Sequence, residues 1–166
     1  MKKNKIMLSL ILILILLTSC NKPAVERTKA DKAYYEYCIV FVDIFDPEKI
    51  PEFWDEKRIK YLTSKDFESK YEKLKGAVEI YKSVMTDKNT STLANINRHI
   101  EDTEKFIHYA KKANELGITT KEEIFTKMSD EDRLDYAIVE TGIKIAYDAM
   151  LGIIAAWEKT TPVYVD

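Results

Sequence analysis

Two histidines, two cysteines and 28 carboxylates are the residues of this 166-residue chain with the means for acid–base, metal or covalent chemistry. His99 and His108 stand nine positions apart. On a helix that separation is about 900°, so the two rings face opposite ways and share neither a metal nor a haem. Glu104 and His108 are one turn apart, with Glu101 on the same side. This spacing suits a solvated face laced by Glu101 to Lys105 and Glu104 to His108 better than it suits a cation. Di-iron bundles need two Glu-x-x-His pairs and two further glutamates, and the chain contains no such pair. A nucleophilic serine or cysteine needs an adjacent base and a third group to orient it, and no G-x-S-x-G signature occurs. Glycoside hydrolysis needs two suitably spaced carboxylates, but an abundance of acids singles out no pair. Asp130, Glu131 and Asp132 lack the spacing and the glycine of an EF-hand, and helix capping accounts for all three. The expectation is a protein that is not an enzyme, with no catalytic residue, no metal ligand and no cofactor.

The first twenty residues hold the clearest pattern. Lys2, Lys3 and Lys5 make a positive start, Ile6 to Leu17 is an apolar run interrupted only by Ser9, and Leu17-Thr18-Ser19-Cys20 is followed by polar sequence. The run is too short to span a bilayer core, which takes about 20 apolar residues in a helix, and it fits a secretion signal. Leu17-Thr18-Ser19-Cys20 resembles the lipobox of bacterial lipoproteins. That resemblance implies a signal peptide over residues 1–19, cleavage before Cys20, a diacylglyceryl group (and further acylation such as palmitate) on its sulfur, and attachment to the membrane without spanning it. Asn21 is not the acidic residue associated with inner-membrane retention, so the resemblance favours the outer membrane or the cell surface. Two or three acyl chains together anchor effectively permanently.

Three of the 26 basic residues lie in that leader and none of the acids does, so 23 remain against 28. This mildly acidic balance argues against nucleic acid and against a basic grip on anionic lipid. A lipidated Cys20 leaves Cys38 as the remaining thiol, and its neighbours Tyr37, Ile39, Val40 and Phe41 mark it as a small buried hydrophobe.

Behind the leader, residues 20–29 read as a lipidated tether and 30–166 as one helical domain. Apolar residues at Ala33, Tyr37, Val40 and Ile44, beside Tyr34, Cys38, Phe41 and Phe45, predict a helix over 29–45 with a wide buried face. Asp46-Pro47 ends it, and Pro51 starts a short helical turn over 52–61. Phe67, Tyr71, Leu74, Val78, Tyr81 and Met85 alternate four- and three-residue steps, predicting a helix over 65–85 with Thr63 and Asp66 as its capping box. Leu93, Ile96, Ile100, Thr103, Ile107 and Ala110 repeat that spacing up to Gly117, so the two form a hairpin. Thr120 caps a short helix to Met128. Ser129 caps the last helix, whose charges Glu140, Lys144 and Asp148 predict one narrow exposed stripe on an otherwise buried rod, with Gly142, Ala146 and Ala149 allowing close approach on the other side. No strand pattern is evident, and residues 160–165 end the chain extended. The fold expected is all-α: an up-down four-helix bundle with short extra helices in the loops.

Aromatic residues supply the remaining signal. Tyr34, Tyr35 and Tyr37 cannot all face one core, so Tyr35 is expected at the surface. Phe53 and Trp54 lie in an acidic connecting segment. Aromatics with polar neighbours are typical interface anchors, so Tyr35, Phe53 and Trp54 are the candidate partner-binding residues. The function expected is a lipid-anchored, non-catalytic cell-envelope protein binding another protein as an inhibitor or immunity factor. The alternatives are a small-ligand or metal carrier, for which an unpaired Thr103 or Asn114 in a seam would be the mark, and a structural envelope lipoprotein.

Overall fold

A computed structural model describes residues 22–46 and 56–165. Cys20 and its leader, and the segment carrying Phe53 and Trp54, lie outside the described residues. In chain order the elements are β1 (Ala24–Arg27), α1 (Lys29–Ile44), α2 (Glu56–Leu62), α3 (Lys65–Val84), α4 (Thr90–Glu115), α5 (Lys121–Lys127), α6 (Asp130–Glu158) and β2 (Thr161–Tyr164). The all-α expectation holds for everything except the two four-residue strands.

Local signals set most boundaries. Thr28 and Asp31 form a reciprocal capping box at the start of α1, and Thr120 with Glu123 does the same for α5. Ser129 accepts from the Asp132 amide at the head of α6. These caps satisfy amides that have no partner within the first helical turn. For α3 the cap is Ser64, which accepts from the Phe67 amide. The expected Thr63 box is absent because the Thr63 hydroxyl donates instead to the Ile59 carbonyl, closing α2. Gly117 ends α4 at φ 60°, a conformation that disfavours a Cβ, while the Ile118 amide donates back to the Ala113 carbonyl.

The core follows the predicted seams: Phe67, Tyr71, Leu74, Val78 and Tyr81 of α3 are buried, as are Ile96, Thr103 and Ala110 of α4. Packing, however, does not follow chain order. α1 lies against both α3 and α6, and α4 lies chiefly against α6, while α3 and α4, consecutive in sequence, touch little. The expected hairpin is therefore only loosely paired, and α2 packs against both helices beside their open seam.

β1 and β2 pair in parallel, with Ala24 opposite Thr161 and Arg27 opposite Tyr164. This was unforeseen, because each strand is too short to carry a period-two pattern. Residues expected as free tether are thus part of the fold from Ala24 onward. The ribbon fixes the entry of the chain beside the end of α6, through Thr161 N–H to Pro23 carbonyl at 2.9 Å.

Candidate interaction surface

Of the residues singled out as partner anchors, only Tyr35 is among those described. It is half-buried rather than displayed: its ring stacks on Trp157 at 4.6 Å, and the Arg27 guanidinium lies 4.5 Å from the same indole. α1, the end of α6 and β1 meet in this stack. Burial first, then the charge of Glu158, pushes the Tyr35 hydroxyl above its ordinary value. Tyr35 therefore fastens the strand pair to the helices, and the expectation that it presents an open ring is corrected.

The groups with chemical potential are dispersed or enclosed. Cys38 is fully buried, and burial pushes its thiol up to about 12, so it is an inert hydrophobe as expected. His99 faces inward, its Nδ1 3.2 Å from Tyr37 Oη and its ring against Phe41, while His108 is exposed. Burial lowers the His99 pKa despite nearby Asp102, favouring the neutral imidazole. The unfolded chain therefore binds this proton at a higher pH, near 6.5, than the folded chain does. Stability from this group is complete above pH 6.5 and falls as the pH drops below it. Chemical denaturation of the wild type and of His99→Gln at pH 7.5 and 5.5 tests this: the wild type is expected to lose more stability over that interval than the variant, and equal losses refute the assignment.

Thr103 is fully buried, but its hydroxyl donates to the His99 carbonyl at 2.7 Å. Asn114 is exposed. Neither provides the mark set for a carrier. Glu104 accepts from Tyr71 Oη at 3.1 Å, an interaction across helices rather than along one. Burial, then the carboxylate of Glu104, drives that tyrosine pKa up. The pair sits in a groove of about 340 Å³ along the open seam between α3 and α4, with Leu62, Phe67 and Ile107 on its floor and Glu68, Glu72 and Lys111 at its rim. Among the described residues no three His, Cys, Asp or Glu side chains gather as a metal site, and no helix is long and apolar enough to cross a membrane.

The least expected surface belongs to α6. Its inner face supplies Tyr136, Val139, Ile143, Ala146 and Met150 to the core. Its outer face exposes Leu134 to 63%, Ile138 to 60% and Ile145 to 65%. The reading of α6 as buried apart from one charged stripe is thus overturned. Glu140 is instead drawn inward to Arg58, while Lys144 and Asp148 flank an apolar strip. The sequence signal was available: apolar and small residues occupy every side of this helix, more than its neighbouring elements cover. α6 is held firmly from behind, with Tyr109 donating to Asp135 at 3.2 Å and Lys112 to Asp132 at 2.6 Å from α4. Gly142 lets the two helices approach, since a Cβ there would lie 3.0 Å from Asp102 Oδ2. The strip is consequently a fixed surface on a rigid rod.

Protein-family models, curated proteins and solved structures yield no match to this chain.

Proposed function

We propose that this chain is a lipid-anchored protein of the bacterial cell envelope, held to the outer membrane or cell surface through Cys20, that acts without catalysis by binding another protein in an inhibitor- or immunity-type role. The scaffold is read as an up-down four-helix bundle of α1, α3, α4 and α6, opened along one seam. The carrying observation is the outer face of α6, where three large aliphatic side chains on one face are 60–65% exposed. Isolated exposed apolar residues are ordinary, whereas a contiguous strip on a rigid element marks a docking surface. The lipobox resemblance supports the anchor. The composition of α6 supports a protein over a lipid surface as the thing bound: seven acids against two bases would be repelled by anionic headgroups.

A photoreactive side chain at Ile145 in the full chain, activated in intact cells, is expected to join it to protein. An adduct with lipid alone, or no adduct, refutes the reading. Ile138→Glu is expected to reduce the adduct at least tenfold while leaving the melting temperature nearly unchanged, because exposed substitutions usually shift stability by no more than about 0.5 kcal/mol.

A further inference from the structure

The exposed residues along the outer face of α6 form a regular series. Leu134, Ile138, Thr141, Ile145, Ala149, Gly152 and Ala156 follow one another at steps of four, three and four, taken twice, and all seven are exposed. That sequence of steps reads the same in both directions from Ile145. At 100° per residue the seven stay on one narrow line down the helix, so the strip is straight.

Size runs the other way along it. The half towards the N-terminus carries Leu134 and Ile138, and the half towards the C-terminus carries Ala149, Gly152 and Ala156. An added Cβ at Gly152 would meet nothing within 4 Å in its own chain. We propose that α6 docks antiparallel on α6 of a second copy about a two-fold axis at Ile145. Leu134 then faces Ala156, Ile138 faces Gly152, Thr141 faces Ala149, and Ile145 faces its own copy. Away from the axis each large side chain meets a small one, and at the axis Ile145 meets its own copy, which is the self-complementarity that a two-fold interface requires. Parallel pairing would set large against large at one end and leave gaps at the other.

The charges agree with the same register. Asp130, Lys144, Asp148 and Lys159 lie along one flank of the strip, and in an antiparallel pair like flanks face one another. Lys144 comes two residues, about 3 Å along the axis, from Asp148 of the second copy, and Lys159 one residue from Asp130 of the second copy. Each pair forms twice. From Leu134 to Ala156 the strip is about 33 Å long and one helix wide, which buries less than the ~800 Å² per partner of a standard interface. The association is therefore reversible. A rotation about the two-fold axis preserves height along it, so the anchored ends of both copies reach one membrane when α6 lies parallel to its plane.

This inference rests on the reading of the α6 face as a protein-docking surface and names its occupant when no other protein is bound there. Differently tagged full chains carrying Leu134→Cys and Ala156→Cys, co-expressed and exposed to a mild oxidant, are expected to form the mixed disulfide at least tenfold more than either forms with itself. Ile145→Cys is expected to link to its own copy. Facing positions on closely packed helices approach the Cα separation that a disulfide allows, and buried Cys38 stays silent. Gly152→Leu fills the hole without a clash in its own chain and is expected to cut the mixed product tenfold with unchanged melting. Lys144→Glu is expected to weaken it, and Lys144→Glu with Asp148→Lys to restore it. Preferential linkage of Leu134→Cys to itself, equal linkage of all pairs, or none at all overturns self-docking. If the Ile145 photoadduct is then a different polypeptide, the docking reading stands and only the second copy falls.

Discussion

Phe41→Ala is expected to destabilise the fold by about 3–5 kcal/mol, the range for emptying a buried phenylalanine site. Phe41 is fully buried in the last turn of α1, with ring centroids of Phe45 at 4.6 Å, His99 at 5.6 Å and Tyr37 at 6.1 Å. α1 is the helix that joins α3 to α6, so the cavity opens where the two halves of the core meet and neighbouring backbone on both sides resists collapse. For a domain of this size the melting temperature is expected to fall by roughly 10 °C. Phe41→Leu keeps most of the volume and is expected to lose less than about 1.5 kcal/mol. Thermal unfolding followed by circular dichroism distinguishes the two. Similar small losses for both would mean that α1 is not the central helix of this core.

Arg58→Ala is expected to be of comparable size, about 3–5 kcal/mol, because it breaks the ion pair of a buried arginine with a half-buried glutamate and empties the space around it. Arg58 is 3% exposed. Its guanidinium donates to Tyr136 Oη at 2.5 Å, pairs with Glu140 and lies 5.6 Å from the Phe106 ring centroid. It thereby pins α2, seven residues long and too short to hold itself as a helix, onto α4 and α6. Arg58→Met retains the packing of the stem and leaves Glu140 partly in water, so it is expected to lose less than half as much. Denaturant unfolding of the two variants measures the difference. If methionine costs as much as alanine, the charge rather than the packing holds α2 in place. Either result bears on Phe53 and Trp54, since α2 begins directly after the segment that carries them.

Helix positions were largely legible in the chain because they depend on local physics. Thr120 and Ser129 cap by reaching amides three residues on, and Gly117 ends α4 by a conformation that belongs to glycine itself. The seam residues of α3 and α4 recur with the helical period, and most are buried, while Met85, Leu93, Ile100 and Ile107 are half-buried. Cys38 declared itself through its apolar neighbours. The strand pair was not legible, since Ala24–Arg27 has no signal until Thr161–Tyr164 arrives beside it. Nor was the place of Tyr35, because a ring that sequence spacing leaves outside the core can still be covered by Trp157 more than a hundred positions away. Arg58 carried no mark at all: a charged side chain in a polar segment is ordinarily a surface residue, and its burial depends on distant partners such as Tyr136 and Glu140.

The chain by itself determined where helices begin and end, which of their faces are apolar, and, through the resemblance around Cys20, the expectation of an anchor. Tertiary structure decided which apolar face remains uncovered. α3 and α4 are adjacent in sequence yet turn to different neighbours, and among the described residues α6, apolar on every side, has elements enough to cover its inner face and none for Leu134, Ile138 and Ile145. Periodicity reports how much surface a helix would withdraw from water, whereas the number and placement of its neighbours fix how much it can.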